Sequence, residues 1–177
     1  MKKLLIVVDM QNDFITGALG SAEAQAIVER TAAHILARKA EGYTLIATLD
    51  THGEDYMATP DGAKLPVPHC IKGTAGWQLC REIERLLVTP PIDKPTFGSA
   101  ELGQMLSSYN KIKPITEVTL IGVCTDICVI SNAMLVKAFL PEATVKVDAS
   151  CCAGTTPESH RRALEAMQVC QIAVEGI

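Results

Sequence analysis

Aromatic residues are scarce in this chain of 177 residues, which contains three Phe, three Tyr and one Trp. Its core must therefore be built mainly from Val, Ile, Leu, Ala and Met. Lys and Arg form no cluster, and the formal net charge is -4. Because binding to a phosphate backbone requires concentrated positive charge, the sequence gives no basis for nucleic-acid binding.

The chain also lacks a long uninterrupted apolar run. Its first residues, MKKLLIVVDMQNDF, are basic and then apolar, but Asp9 and Gln11 interrupt them too early for a signal peptide or a membrane span. Seven cysteines without a regular spacing are typical of a reducing compartment. We therefore expect a cytoplasmic protein that does not associate with a membrane.

Short apolar runs alternate with longer amphipathic stretches, and no linker or repeat interrupts them. The short runs predict strands at residues 4–9, 44–50, 90–94, 118–123, 143–148 and 170–174. The longer stretches predict helices at residues 22–40, 77–87, 100–107, 126–140 and 157–169. Nearly continuous apolar strands are typical of a parallel sheet that is buried on both faces. We predict one α/β domain over residues 1–177, a three-layer, doubly wound, Rossmann-like parallel sheet.

Several reactive side chains stand where predicted strands end. Asp9, Asp50 and Lys94 end three of the strands, and Cys124 and Cys128 follow a fourth. Ligands of open α/β sheets bind in the crevice at the carboxyl ends of the strands. We therefore expect these residues, which are distant in sequence, to meet at one edge of the sheet.

The pair Cys124 and Cys128 allows three interpretations. A metal clip would need a second pair at a comparable spacing, and the adjacent Cys151 and Cys152 are a poor match. A redox couple more typically has two residues between its cysteines, whereas three separate these. The third interpretation is a single nucleophile. Elsewhere in the chain, Cys80 and Cys170 lie on apolar faces of predicted elements, and we expect both to be core residues.

The local sequence favours Cys128 as the nucleophile. If a helix begins near Thr125 or Asp126, Cys128 lies in its first turn, where free N–H groups and the helix dipole favour a thiolate. The same N–H groups can hold an oxyanion. Cys124 would then contribute its backbone N–H rather than its sulfur. The alternative is that Cys128 is an ordinary buried cysteine.

A cysteine that attacks an amide needs a proton acceptor. His34 and His160 both fall in predicted helices, where we expect them at the surface. Asp9 can accept the proton, and the positive charge of Lys94 would keep Asp9 ionised and favour the thiolate.

Three segments, VVDMQNDF, DKPTFGS and GVCTDICV at residues 7–14, 93–99 and 122–129, resemble the signature segments of the isochorismatase-like cysteine hydrolases. They occur in the family's order and together span nearly the whole chain. The resemblance implies this family's fold and a catalytic triad of Cys128, Asp9 and Lys94. It also implies an oxyanion hole formed by the backbone N–H groups of Cys124 and Cys128, with a cis peptide bond before Cys124.

A second constellation indicates a metal. Asp50 and His52 stand two apart in an extended loop and would point to the same side, and His69 comes from the next loop. Two imidazoles and a carboxylate suit a catalytic transition metal. The pattern D-x-H followed by P-H-C-x-x-G-T-x-G resembles the metal site of nicotinamidases, one branch of the family. We expect one divalent ion, zinc in the first place, with iron and manganese also suited to these ligands.

The resemblance further implies a fourth protein ligand between these two segments. No histidine stands there, and Asp61 in TPDGAK is our candidate, with Glu54 and Asp55 as rivals. Nicotinamidases often place an aromatic residue three positions before the second metal histidine, where this chain has Pro66. Phe14 and Phe97 remain as candidates for binding the substrate ring.

The resemblance predicts a hydrolase that converts nicotinamide to nicotinate and ammonia through a cysteine thioester, an activity of NAD salvage. One alternative is a related cysteine amidase that acts on another small amide or a carbamoyl compound. A non-catalytic thiol or metal-binding protein is another. The family is usually oligomeric, so we expect a homo-oligomer.

Overall fold

The computed structural model describes residues 2–177, which form one parallel sheet flanked by helices. The strands are β1 (Lys2–Val8), β2 (Thr44–Asp50), β3 (Ile92–Lys94), β4 (Ile115–Val123), β5 (Thr144–Ala153) and β6 (Ala173–Glu175). They are all parallel and stand in the order β3-β2-β1-β4-β5-β6. The predicted doubly wound α/β fold is confirmed.

The strand order places a topological switch point at the centre of the sheet. From β1 the chain builds outward through β2 to β3, and then returns to place β4 on the other side of β1. Loops that leave neighbouring strands in opposite directions open a crevice at the carboxyl ends of β1 and β4.

The helices are α1 (Asn12–Ile15), α2 (Ala22–Ala40), α3 (Pro60–Lys64), α4 (Arg81–Glu84), α5 (Ala100–Ile112), α6 (Ile130–Phe139) and α7 (Pro157–Val169), with a 3₁₀ turn at Tyr56–Ala58 and a π-helical turn at Thr125–Val129. They cover both faces of the sheet. Leu5 and Val7 of β1 belong to the core with α2, whereas Leu4 and Ile6 belong to the core with α5, α6 and α7. Alternate residues of one strand thus stabilise both layers.

Helix starts follow from capping side chains. Ser21 accepts a hydrogen bond from Ala24 N at 3.0 Å at the start of α2. The predicted start of α7 is confirmed, because Thr156 Oγ1 accepts from Ser159 N at 3.1 Å and Pro157 occupies the first turn.

The helix predicted at residues 77–87 is wrong over most of its length, since only Arg81–Glu84 is α-helical. The residues directly before Arg81 form backbone hydrogen bonds with the segment that follows β1. Asn12 N donates to Gln78 O, and Cys80 N donates to Met10 O. These backbone hydrogen bonds stabilise an extended conformation that a periodicity argument does not detect.

Other boundaries move by a few residues. The helix predicted at 100–107 continues to Ile112, and β5 continues from the predicted end at Asp148 to Ala153. The strand predicted at 170–174 begins only at Ala173, and Cys170 is exposed rather than a core residue. Within residues 2–177, no helix is long and apolar enough to cross a membrane.

Candidate active site

Asp9, Lys94 and Cys128 meet at the carboxyl edge of the sheet. Lys94 Nζ lies 2.7 Å from Asp9 Oδ2 and 3.3 Å from Cys128 Sγ. The exposed fraction is 0% for Asp9 and Lys94 and 4% for Cys128. The fold therefore brings together the three residues that the resemblance implies as a triad.

Asp9 is held by its backbone and by a neighbouring side chain. Its φ of +48° lies in the left-handed region, and Thr48 Oγ1 donates a hydrogen bond to Asp9 Oδ1 at 2.7 Å. Burial raises the pKa of Asp9 above the ordinary 3.8, while the positive charge of Lys94 opposes the shift. A carboxylate with a raised pKa is a stronger base, which suits a proton acceptor.

The two cysteines of the turn differ in their surroundings. Burial, and then the negative charge of Asp9, raise the pKa of the Cys128 thiol well above its ordinary value, with Lys94 opposing the shift. Burial of Cys128 therefore opposes the thiolate that the start of a helix would favour. Burial also raises the pKa of Cys124 to about 12. The Cys124 sulfur forms no hydrogen bond with Lys94, whereas Lys94 Nζ lies 3.3 Å from Cys128 Sγ.

Lys94 connects the nucleophile to a second group of residues. Its Nζ lies 3.3 Å from Asp50 Oδ1 as well as 2.7 Å from Asp9 Oδ2. Burial alone would lower the pKa of Lys94, but the negative charges around it, chiefly that of Asp9, raise it above its ordinary value. Lys94 is consequently a fixed positive charge at neutral pH.

The turn after β4 presents backbone N–H groups beside Cys128. The predicted helix start is here a π-helical turn, Thr125–Val129, and the cis peptide bond between Val123 and Cys124 is present. Cys124 O accepts from Ile127 N at 3.1 Å and Val129 N at 3.0 Å. Within residues 2–177, Cys124 N donates to no protein acceptor. A free N–H next to the nucleophile is what an oxyanion hole requires.

Residues at the start of α7 hold this turn in place. Thr125 Oγ1 and His160 Nδ1 are hydrogen-bonded at 2.8 Å, and Asp126 Oδ1 accepts from Thr155 N at 2.9 Å. His160, predicted at the surface, is half-buried. The role of His160 could not be predicted from the sequence, because a hydrogen bond across 35 residues leaves no local pattern.

Asp50, His52 and His69 form a compact group beside the triad. His52 Nε2 lies 2.9 Å and His69 Nε2 lies 3.5 Å from Asp50 Oδ2, and the three ligand atoms lie within 4.8 Å of one another. His69 Nδ1 donates to Val67 O at 2.8 Å, which leaves the Nε2 lone pair free. The donor types and this tautomer fit a divalent transition metal.

Two buried side chains that the sequence analysis missed support the ligand group. Gln11 Nε2 donates to Asp50 O at 2.9 Å, and Gln11 Oε1 accepts from Asp50 N at 2.8 Å. The Tyr56 ring packs against both imidazoles, with centroids 4.7 Å from His52 and 5.0 Å from His69. The position of Gln11 directly after the first strand end was the available sequence indication.

The residues considered for a fourth ligand lie outside this group. Asp61, in the first turn of α3, is exposed but lines the same cavity as Asp50. Glu54 and Asp55 are exposed and do not line that cavity. Asp61 is therefore the better placed of the three.

A cavity of about 180 Å³ borders both Cys128 of the triad and the ligand group. It is lined by Cys128, by the Asp50 group and by three aromatic side chains, Phe14, Tyr56 and Phe97. We call it the reaction cavity. Phe14 is buried with its ring 5.7 Å from His69, and Phe97 is 55% exposed at the mouth. Both residues predicted to bind a substrate ring thus border the reaction cavity.

The remaining thiols do not form a sulfur site. Within residues 2–177, no group of possible metal ligands brings two cysteine sulfurs together within 4.8 Å. Cys80 is a core residue, as predicted. His34, predicted at the surface, is half-buried, and its Nδ1 lies 3.1 Å from Asp148 Oδ2.

Comparisons with known proteins agree with this geometry. The family model described as the isochorismatase domain matches residues 3–175. The nicotinamidase/pyrazinamidase of Mycobacterium tuberculosis is 27% identical over 181 aligned residues that cover 96% of each chain.

Two solved structures are similar over nearly their full lengths. The pyrazinamidase of Pyrococcus horikoshii in complex with zinc has a TM-score of 0.80 and 26% identity, covering 100% of both chains. The N-carbamoylsarcosine amidase of Thermoplasma acidophilum has a TM-score of 0.79 and 25% identity, covering 99% of this chain and 96% of that chain. Because the family model matches almost every residue, the chain belongs to the isochorismatase family, in the branch that includes the nicotinamidases.

Proposed function

We propose that this protein is a metal-assisted amidohydrolase that converts nicotinamide to nicotinate and ammonia through a thioester on Cys128. The protein is an amide hydrolase, and relatives that match nearly its whole length include a nicotinamidase/pyrazinamidase and an N-carbamoylsarcosine amidase. The observation that carries the proposal is the position of Lys94 Nζ, 3.3 Å from both Cys128 Sγ and Asp50 Oδ1. One buried cation thus joins a nucleophile to a metal-ligand group in one cavity.

The first step is attack of Cys128 on the amide carbon. Asp9 accepts the thiol proton as the C–S bond forms, and Lys94 stabilises the negative charge that passes between them. The oxyanion accepts hydrogen bonds from the N–H groups of Cys124 and Cys128.

Asp9 then returns the proton to the amide nitrogen, so that ammonia leaves and a thioester remains on Cys128. In the second half of the reaction, Asp9 accepts a proton from the water that attacks the thioester. Nicotinate leaves and the Cys128 thiol is restored, so Asp9 acts alternately as base and acid.

Asp50, His52 and His69 would hold the metal, and Asp61 is our proposed fourth ligand. When bound, a divalent ion supplies an anchor for the pyridine nitrogen of the substrate. Zinc is the ion we propose, and it is the ion in the complex of the Pyrococcus horikoshii relative. Phe14 and Phe97 would pack against the substrate ring.

The reaction cavity, about 180 Å³, suits one small ring with its carboxamide. Recycling of nicotinamide would place the enzyme in NAD salvage. A second candidate is hydrolysis of another small amide or a carbamoyl compound, which the similarity to an N-carbamoylsarcosine amidase favours.

The test is ammonia release from nicotinamide by zinc-loaded protein, with and without a chelator, beside the variants Cys128→Ala and Cys170→Ala. Cys170 is exposed and serves as the matched control. We expect the chelator to reduce turnover and Cys170→Ala to leave it unchanged. Cys128→Ala should lower turnover by at least about a thousandfold. Absence of turnover with zinc, iron or manganese would exclude nicotinamide as the substrate.

A further inference from the structure

A second cavity, about 410 Å³ in volume, adjoins the reaction cavity. We call it the side cavity. Both cavities border on Phe14, Leu19, Leu65, Cys124 and Ile127, so they meet along a shared boundary. None of the metal-ligand group lines the side cavity.

The side cavity extends the crevice along the carboxyl edge of the sheet. Its far wall includes Ala24 in the first turns of α2 and Ala153 and Thr155 at the end of β5. The reaction cavity instead includes Asp50 at the end of β2 and Cys128 in the turn after β4. The two cavities together therefore follow the line of strand ends along which α/β proteins bind ligands.

The position of Cys124 decides which part of a substrate faces the side cavity. Cys128 and the metal-ligand group line only the reaction cavity, whereas Cys124 lines both cavities. After attack by Cys128, the former carbonyl carbon carries four groups. Two are the Cys128 sulfur and the oxygen, which lies at Cys124 N; the other two are the acyl substituent and the amide nitrogen. If the acyl group points to the ligand group, the amide nitrogen faces the boundary at Cys124 and Ile127.

The lining of the side cavity indicates the chemistry of its occupant. No charged side chain lines it, and Ser21 and Thr155 supply its hydroxyl groups. Such a surface favours a neutral, apolar group over an ion, because an ion would lose its hydration without gaining a partner. Release of ammonia requires no space of this size.

We propose that the side cavity binds the nitrogen substituent of secondary amides, so that the enzyme hydrolyses N-alkyl and N-benzyl amides. This inference rests on the proposed function for the position of the acyl group. In the reaction, the C–S bond forms, the C–N bond breaks and Asp9 protonates the leaving nitrogen. The products are a primary amine and, after water attacks the thioester, the carboxylate.

The test compares zinc-loaded wild-type protein on nicotinamide, N-methylnicotinamide, N-propylnicotinamide and N-benzylnicotinamide. Amine release is measured by chromatography. The variant Ala24→Leu fills the side cavity, and Ala22→Leu, at an exposed position of the same helical turn, is the matched control.

Among the secondary amides, we expect kcat/KM to rise with the size of the substituent, because a larger apolar group is buried. Ala24→Leu should lower kcat/KM for N-benzylnicotinamide by roughly tenfold or more, and Ala22→Leu should not change it. Nicotinamide hydrolysis should be unchanged in both variants, which also shows that they fold.

Three results would overturn the inference: no hydrolysis of any secondary amide, a steep fall in kcat/KM beyond the methyl group, or equal loss in both variants. The wild-type series decides the question even if Ala24→Leu does not fold. Hydrolysis of nicotinamide alone would refute this inference and leave the proposed function intact. Hydrolysis of secondary amides alone would refute nicotinamide as the substrate and support the side cavity. Inactivity on all four amides would refute both.

Discussion

Lys94 Nζ lies between the carboxylates of Asp9 and Asp50, 2.7 Å from one and 3.3 Å from the other. All three side chains are buried. Lys94 is the ion-pair partner of Asp9, whereas the Asp50 carboxylate also contacts His52 and His69. Lys94 therefore contributes to the stability of the fold as well as to the chemistry of the site.

Replacing Lys94 with Met should lower the free energy of unfolding by about 3–5 kcal/mol, because it leaves the buried Asp9 carboxylate without its ion-pair partner. Urea denaturation measures the loss. The matched control is Lys72→Met, which removes an exposed ion pair with Asp93 and should cost about 1 kcal/mol or less. Equal losses in the two variants would contradict the structural role of Lys94.

Replacing Asp9 with Asn should lower kcat roughly 100- to 10,000-fold, because the proton acceptor is lost. The control variant Glu101→Gln, at an exposed position, should leave kcat unchanged.

In the wild-type enzyme, kcat/KM should fall as the pH falls through the pKa of Asp9, since protonation removes the base. Burial raises this pKa, so the midpoint should lie above 3.8. A midpoint at or below that value would count against Asp9.

Zinc affinity should depend on the ligand group in a graded way. His69→Ala should weaken zinc binding strongly, and Asp61→Asn should weaken it less, since Asp61 is exposed at the cavity wall. Asp55→Asn, also exposed but outside the cavity lining, is the control. Competition with a chromophoric chelator measures each affinity. If Asp61→Asn binds zinc as tightly as Asp55→Asn does, Asp61 is not a ligand.

The hydrogen bond between Thr125 and His160 should position the oxyanion hole. Thr125→Val removes the hydroxyl at nearly constant volume and should lower kcat roughly ten- to a hundredfold with little change in KM. Thr125→Ser, which keeps the hydroxyl, should restore most of the rate. Similar rates in Thr125→Ser and Thr125→Val would show that only the packing of the side chain matters.

The chemistry of the site was largely predictable because its residues stand next to strand ends. Asp50 and Lys94 each end a parallel strand and Asp9 directly follows β1, and strands with the same direction present their ends at the same edge. The helix predicted at residues 77–87 is wrong because the conformation of this segment is set by distant residues. Its conformation depends on backbone hydrogen bonds to Met10 and Asn12, which no local periodicity encodes.

Side chains that support the site from a distance were also beyond the sequence analysis. Tyr56 packs on two histidines, and His160 bonds the turn that carries Cys128. Each contact depends on how a loop or helix folds back over the sheet. The burial of Cys128 was equally hidden in the sequence: the first turn of a helix favours a thiolate, whereas burial opposes it.

The most direct test of the central claim is mass spectrometry of the zinc-loaded enzyme, acid-quenched during turnover of nicotinamide. The account predicts a nicotinoyl group bound to the peptide that contains Cys128, formed in wild-type protein and absent in Cys128→Ala. Turnover that persists in Cys128→Ala, or an acyl group on a different residue, would contradict it.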